Sequence, residues 1–119
     1  MPRLLVALSL NPVTLRDTIP PFFQGTSMIK SFAHKGLKRF FEDDDTRGIQ
    51  PHHAEKLRVL LYAMDIAETI QELDIEGAEL HRLKGKLKTH WSLKVNGNWR
   101  VIFEFKDGNA YIVDYVDYH

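Results

Sequence analysis

The chain has 119 residues, 44% hydrophobic and 27% charged, and contains no cysteine. That is the length of one compact domain with a real core, not of two domains or of a disordered tail. The lack of cysteine excludes a disulfide framework, a thiol nucleophile and thiolate metal sites, and no apolar run reaches the roughly 20 residues that span a bilayer. Sixteen basic and sixteen acidic side chains cancel, but they are segregated. Residues 28–41 carry +4, residues 42–80 carry −8 and residues 81–106 carry +6. A polyanion would meet the last of these stretches and a different partner the acidic one.

Residues 1–27 hold four of the five prolines and one short apolar run, Leu4 to Leu10. Arg3 and that run match the start of a secretion signal, but the run is short and no small-x-small cleavage site follows it cleanly. The segment reads as an N-terminal extension or a misassigned start, weakly structured, with the domain occupying 28–119. Ile29–Phe32 is expected to be a short strand. Leu37, Phe40 and Phe41 fall on one face of a helix, which the aspartates of 42–45 should end, because negative charge opposes the dipole at a helix C-terminus. Pro51 suits the first turn of a second helix, whose apolar stripe is Ala54, Leu57, Leu60, Leu61 and Met64. Residues 68–76 are acidic and expected to be helical or turn.

After Gly77 the period changes from helical to two. Trp91–Val95, Trp99–Lys106 and Ala110–His119 alternate, separated by Asn96-Gly97-Asn98 and Asp107-Gly108, both hairpin signals. The class is α+β: an antiparallel meander with two N-terminal helices on one face. A three-residue loop at 96–98 would pair Val95 with Trp99, Leu93 with Val101 and Trp91 with Phe103. A two-residue turn at 107–108 would pair Arg100 with Tyr115. Asp117 and His119 would then share a face with Arg100, and Asp114 would face the core opposite Val101.

Familiar signatures are absent. There is no P-loop, no dinucleotide fingerprint and no H-E-x-x-H, and a calcium loop starting at Asp43 fails because its twelfth position is Ala54. No metal or other cofactor is expected. His52 and His53, adjacent near a helix start, read as surface residues. What remains is a basic cluster with proton-transfer groups. His81 lies between Glu79 and the cations Arg82 and Lys84, and the chain closes on Asp117-Tyr118-His119. Metal-free RNA cleavage needs a base for the 2′-hydroxyl, an acid for the leaving 5′-oxygen, and cations on the phosphate. His81, Asp117 and His119 offer the proton-transfer groups, and Arg100 offers a forked donor for phosphate. Lys84, Lys86, Lys88, Arg82 and Lys94 would hold the flanking backbone. Tyr118 or Trp91 could stack on a base, although core packing accounts better for both Trp91 and Trp99.

From Met28 onward the sequence resembles the HigB family of toxins in the RelE superfamily, the killer proteins of plasmid-maintenance modules. The resemblance rests on MIKSFAHKGLKRFFE (28–42), ELHRLKG (79–85), HWSLKVNGNWRVIFEF (90–105) and DGNAYIVDYVDYH (107–119). It implies a RelE-like fold, a twisted antiparallel sheet with two helices on one face. It further implies a cytoplasmic, ribosome-dependent endoribonuclease that cuts mRNA in the A site of the 70S ribosome. A helix-turn-helix antitoxin of the HigA type would pair with it in a hetero-oligomer, with no membrane involved. Carried over by position, the catalytic set is His81, Asp117, Tyr118 and His119, with Arg100 and Lys84 on phosphate; the match does not say which group is acid and which is base. Such toxins are usually basic, and the acidic stretch 42–80 accounts for the neutral balance here. A gyrase-binding toxin of the ParE type, or a non-catalytic binding module, would share the fold but would have no need for His81 and the terminal Asp-Tyr-His.

Overall fold

The computed structural model describes residues 27–118. The extension expected over residues 1–27 therefore lies outside the described residues except for Ser27, and so does His119.

Helix α1 spans Lys35–Asp43. It opens on His34, whose Nδ1 accepts the Leu37 N–H at 2.9 Å, and buries Leu37 and Phe40. The helix includes Asp43, further than the acidic run led us to expect. Asp44 ends it in the left-handed conformation, φ 57°, with its N–H bonded to the Phe40 carbonyl. Arg58 offsets the unfavourable charge, with Nη2 2.8 Å from Asp44 Oδ1. A 3₁₀ turn, Pro51–His53, leads into helix α2, Ala54–Ile66. Leu57, Leu60, Leu61 and Met64 form its buried face, as their helical spacing requires. The acidic stretch that follows contains a 3₁₀ turn, Ile70–Leu73, that buries Leu73.

Four strands follow: β1 (His81–Arg82), β2 (Trp91–Asn96), β3 (Trp99–Lys106) and β4 (Asn109–Asp117). They pair antiparallel in the order β1-β2-β3-β4. Leu93, Val101, Phe103 and Val113 join the α1 and α2 side chains in one core, giving the expected two helices against a meander. Ile29–Phe32 does not form a strand of the sheet. It flanks the outer edge of β4 through two parallel bridges, Ile29 to Ala110 and Phe32 to Val113.

The register departs from expectation at two bulges. Trp91 pairs with Phe103 and Leu93 with Val101 as predicted, but Asn96 rather than Val95 pairs with Trp99. The turn is therefore two residues long, and the extra residue is absorbed at Val95. In β4 the 107–108 turn is as predicted, with Phe105 opposite Ala110. A second bulge then intervenes, with Glu104 opposite Tyr111 but Ile102 opposite Asp114. Ile112 takes φ 46° there, and the Ser31 hydroxyl accepts its N–H at 2.8 Å. One extra residue reverses the facing of everything after it. Tyr115 thus enters the core at 4% exposure, and Asp114 leaves the core face on which the uninterrupted register placed it.

Candidate active site

Residues opposite one another in antiparallel strands share a face. His81 lies opposite Ser92, Ser92 opposite Ile102, and Ile102 opposite Asp114. One row along, Lys94 lies opposite Arg100 and Arg100 opposite Val116. His81, Lys94 and Arg100 therefore share the face turned away from Leu93, Val101 and Phe103. Tyr118, two residues beyond Val116, continues that face; it is exposed, and its N–H is bonded to the Asn98 carbonyl at 2.8 Å. Asp117 does not share it. The bulge at Ile112 sets Asp117 opposite Trp99, on the side of Tyr115, correcting the expectation that it would face the same way as Arg100. His81 and Asp117 also occupy opposite edge strands, separated by three strand spacings, or about 14 Å across the sheet. His119 lies outside the described residues.

His81 is exposed, and its Nδ1 is 3.0 Å from the Glu79 carbonyl oxygen. A carbonyl can only accept, so Nδ1 carries the proton. In the neutral ring the lone pair is then on Nε2, the arrangement a general base requires. The Glu79 side chain meets Lys94 Nζ at 3.3 Å, so one residue tethers two candidates on this face.

The cations differ in how firmly they are held. Arg100 Nη1 donates to the Gly97 carbonyl at 2.7 Å and to the Trp99 carbonyl at 3.0 Å. Its guanidinium is thereby oriented by the β2–β3 turn, while Nη2 and Nε have no hydrogen-bond partner among the described residues. Arg82 is a brace: Nε donates to the Lys88 carbonyl at 2.8 Å, and the guanidinium carbon is 5.2 Å from the centre of the Trp91 ring. Trp91 thus packs between that guanidinium and the core, which accounts for it without a base-stacking role. The strap held by Arg82 joins β1 to β2 around a 3₁₀ turn, Gly85–Leu87, and presents Lys84, Lys86 and Lys88 to solvent. Near its end Thr89 donates to Glu104 Oε2 at 2.7 Å. That bond, with help from Lys106 and His90, lowers the Glu104 pKa and keeps the carboxylate ionised. By sequence alone Glu104 is only a lone acid among cations.

A second group packs under Asp117. Trp99 stacks on Tyr115 at 4.5 Å between ring centres, and His34 and His53 meet Tyr115 edge-on. His53 is 2% exposed, which overturns its expected surface position. Its place was legible in the spacing, since His53 precedes Leu57 by four residues and Leu60 by seven on the same helical face. The Gln50 N–H donates to the Tyr115 hydroxyl oxygen at 3.3 Å, and His53 Nδ1 is 2.6 Å from that oxygen. With the Gln50 N–H already received by the oxygen, the hydroxyl's own proton is the one left to place, and a neutral His53 with its proton on Nε2 accepts it at Nδ1. Burial, reinforced by His52, lowers the His53 pKa. Burial also raises that of Tyr115; the Gln50 bond opposes the rise and the Asp117 charge adds to it. No group of three or more His, Asp or Glu side chains among the described residues could hold a metal ion.

Residues 30–119 match the family described as RelE-like toxin of type II toxin-antitoxin system HigB. The chain is similar to Endoribonuclease HigB of Proteus vulgaris, with 46% identity over 92 residues that cover 77% of this chain and all of that protein. It is also similar to Toxin HigB-1 of Vibrio cholerae serotype O1, with 35% identity over 94 residues that cover 77% of this chain and 98% of that protein.

Proposed function

The chain belongs to the HigB-like family of RelE-type toxins, and from that premise we propose that it is an endoribonuclease cutting mRNA in the ribosomal A site without a metal. The toxin domain is residues 28–119. Its partners are a helix-turn-helix antitoxin of the HigA type and the 70S ribosome, and its place of action is the cytoplasm. Among the described residues no helix is long and apolar enough to cross a membrane.

The observation that carries this reading is the state of His81. The Glu79 carbonyl holds its Nδ1 proton, leaving Nε2 as a base on the face that presents Arg100 and Lys94. In the proposed reaction a base removes the 2′-hydroxyl proton, the oxygen attacks the adjacent phosphorus, and the 5′-oxygen leaves with a proton from an acid. A cyclic phosphate and a 5′-hydroxyl end result. His81 takes the 2′-hydroxyl proton, the Tyr118-His119 end supplies the proton for the leaving oxygen, and Arg100 and Lys84 neutralise the phosphorane charge as it builds. Asp117, on the other face of the sheet, does not share a phosphate with His81 and acts by carrying that end. Tyr118 supports the substrate from the Arg100 face, and His119 assists beside the scissile bond. Lys86, Lys88 and Lys94 hold flanking phosphates, and Arg82 acts by bracing the lysine strap.

The test is cleavage on programmed 70S ribosomes, with 5′ ends mapped for the wild type and His81→Ala. Losing one acid–base group costs roughly 10²–10⁴-fold in rate. Cuts at codon positions that disappear in the variant are the expected result. No cuts by a folded wild type would favour a gyrase-binding or non-catalytic role, with supercoiling inhibition as the next assay.

A further inference from the structure

The end of β4 is held differently from the rest of the strand. Residues 28–33 flank its outer edge only as far as Val113, where the Ala33 N–H bonds the Val113 carbonyl. Two residues later the Tyr115 ring enters the core, and its hydroxyl meets the segment before α2 through the Gln50 N–H and His53 Nδ1. Tyr115 and Asp117 lie two residues apart on one strand and so on one face, with Trp99 stacked on the first and opposite the second. The Asp117 charge is felt at the Tyr115 hydroxyl. A buried side-chain bond thus ties the start of α2 to the strand end that carries Asp117 and Tyr118.

We infer that His53 is a positioning residue for the end of β4: by accepting the Tyr115 hydroxyl proton it fixes the strand end that carries Asp117 and sets Tyr118 on the Arg100 face. The effect on cleavage rests on the ribonuclease reading above, whereas the effect on the strand end does not. The His53 ring has no access to substrate at 2% exposure, so its action passes through Tyr115. A neutral acceptor suits the task, because its Nδ1 lone pair takes the hydroxyl proton while the oxygen receives the Gln50 N–H, so the hydroxyl donates and accepts at once.

Two measurements on the full chain test this, with Tyr115→Phe, His53→Leu and His53→Asn. Asparagine keeps an acceptor at the position of Nδ1, whereas leucine keeps only bulk. The first measurement is amide exchange at Tyr118, whose N–H bonds the Asn98 carbonyl, with Lys94, bonded to the Ala78 carbonyl, as the control. Tyr115→Phe and His53→Leu are expected to speed Tyr118 exchange about tenfold with Lys94 unchanged, because the opening is local. His53→Asn should restore the wild-type value. If His53→Leu unfolds the protein, Lys94 exchange rises too, and Tyr115→Phe, which keeps the ring stack, carries the test.

The second measurement is single-turnover cleavage on ribosomes. The same two variants should lose about tenfold in rate at saturation, the scale of a misplaced reacting group, with an unchanged half-saturating ribosome concentration. Tyr118 exchange that does not move overturns the inference, as does unaltered cleavage despite faster exchange. His53→Asn behaving like His53→Leu also overturns it, since bulk alone would then explain both. If the wild type does not cut, the ribonuclease reading fails, and the exchange comparison still decides whether His53 holds the strand end.

Discussion

Gly36 and Gly48 meet backbone to backbone. A methyl group built on Gly36 would lie 2.5 Å from the Gly48 carbonyl oxygen, and one on Gly48 would lie 2.5 Å from the Gly36 Cα. This contact lets the first turn of α1 rest on the 3₁₀ turn Thr46–Gly48. Helix propensity alone would favour alanine at Gly36. The contact reverses the sign, because the obstructing atoms are backbone and cannot rotate away. Gly36→Ala and Gly48→Ala should each cost about 1–3 kcal/mol, the usual scale of overpacking. Urea denaturation midpoints at or above wild type would show that the two segments do not touch.

Ile112 carries the strain of the second bulge. Its φ of 46° is unfavourable for a β-branched side chain, and the side chain is 40% exposed. Removing isoleucine from a strand ordinarily weakens it. Here glycine relieves a left-handed conformation that costs about 1–2 kcal/mol in an L-residue, while the exposed side chain gives up little packing. Ile112→Gly is expected to leave the unfolding free energy unchanged or to raise it by up to about 1 kcal/mol. A clear loss in calorimetry would mean that the Ile112 side chain packs against something that outweighs the strain.

The same residue marks where sequence reasoning stops. The helices are legible because Leu57, Leu60, Leu61 and Met64 repeat at helical spacing, and the strands because Trp91–Val95 and Trp99–Lys106 alternate. Nothing around Ile112 announces a bulge: the positions that usually signal positive φ hold glycine or asparagine, and here one holds isoleucine. Alternation therefore assigns Asp117 to the wrong face, although it correctly places it at the end of the last strand. Lys94 and Arg100 keep the common face that alternation gives them, whereas the two-residue strand that brings His81 to that face is too short for any alternation to announce it. The other bulge, at Val95, does less harm because it falls beside the turn. His53 and Glu104 escape for different reasons. His53 has the spacing of a core residue, but its polarity argues for the surface. The role of Glu104 depends on Thr89, fifteen residues away, which no local pattern reveals.

The buried pair makes stability depend on pH on both sides of neutrality. The His53 pKa is lowered in the folded state, so below the ordinary value of about 6.5 the unfolded chain binds the extra proton first. Stability from this group is complete above that pH and falls as pH drops toward the folded value. The Tyr115 pKa is raised, so the unfolded chain loses its proton first as pH climbs past about 10, and stability falls again. Melting temperatures should therefore decline from pH 7.5 to 5.5 and again above pH 10. Tyr115→Phe should flatten the alkaline decline and His53→Leu the acidic one. Equal slopes in wild type and variants would remove this pair from the pH response.

The lysine strap separates charge from architecture. Lys84, Lys86 and Lys88 are exposed, so alanine there should leave the melting temperature within error of wild type. If the strap holds phosphates, each lysine contributes about 0.7 to the slope of log affinity against log salt for single-stranded contacts. The triple variant should lose about two units of that slope in ribosome titrations at several potassium chloride concentrations. Arg82→Ala should behave differently. Its guanidinium holds the Lys88 carbonyl and lies against Trp91, so its loss frees the strap while all three lysine charges remain. Affinity should then fall with most of the salt slope retained, because the charges are present but no longer preorganised. A triple-lysine variant with an unaltered slope would place the RNA contacts elsewhere, and the remaining cations to test on the His81 face would be Arg100 and Lys94.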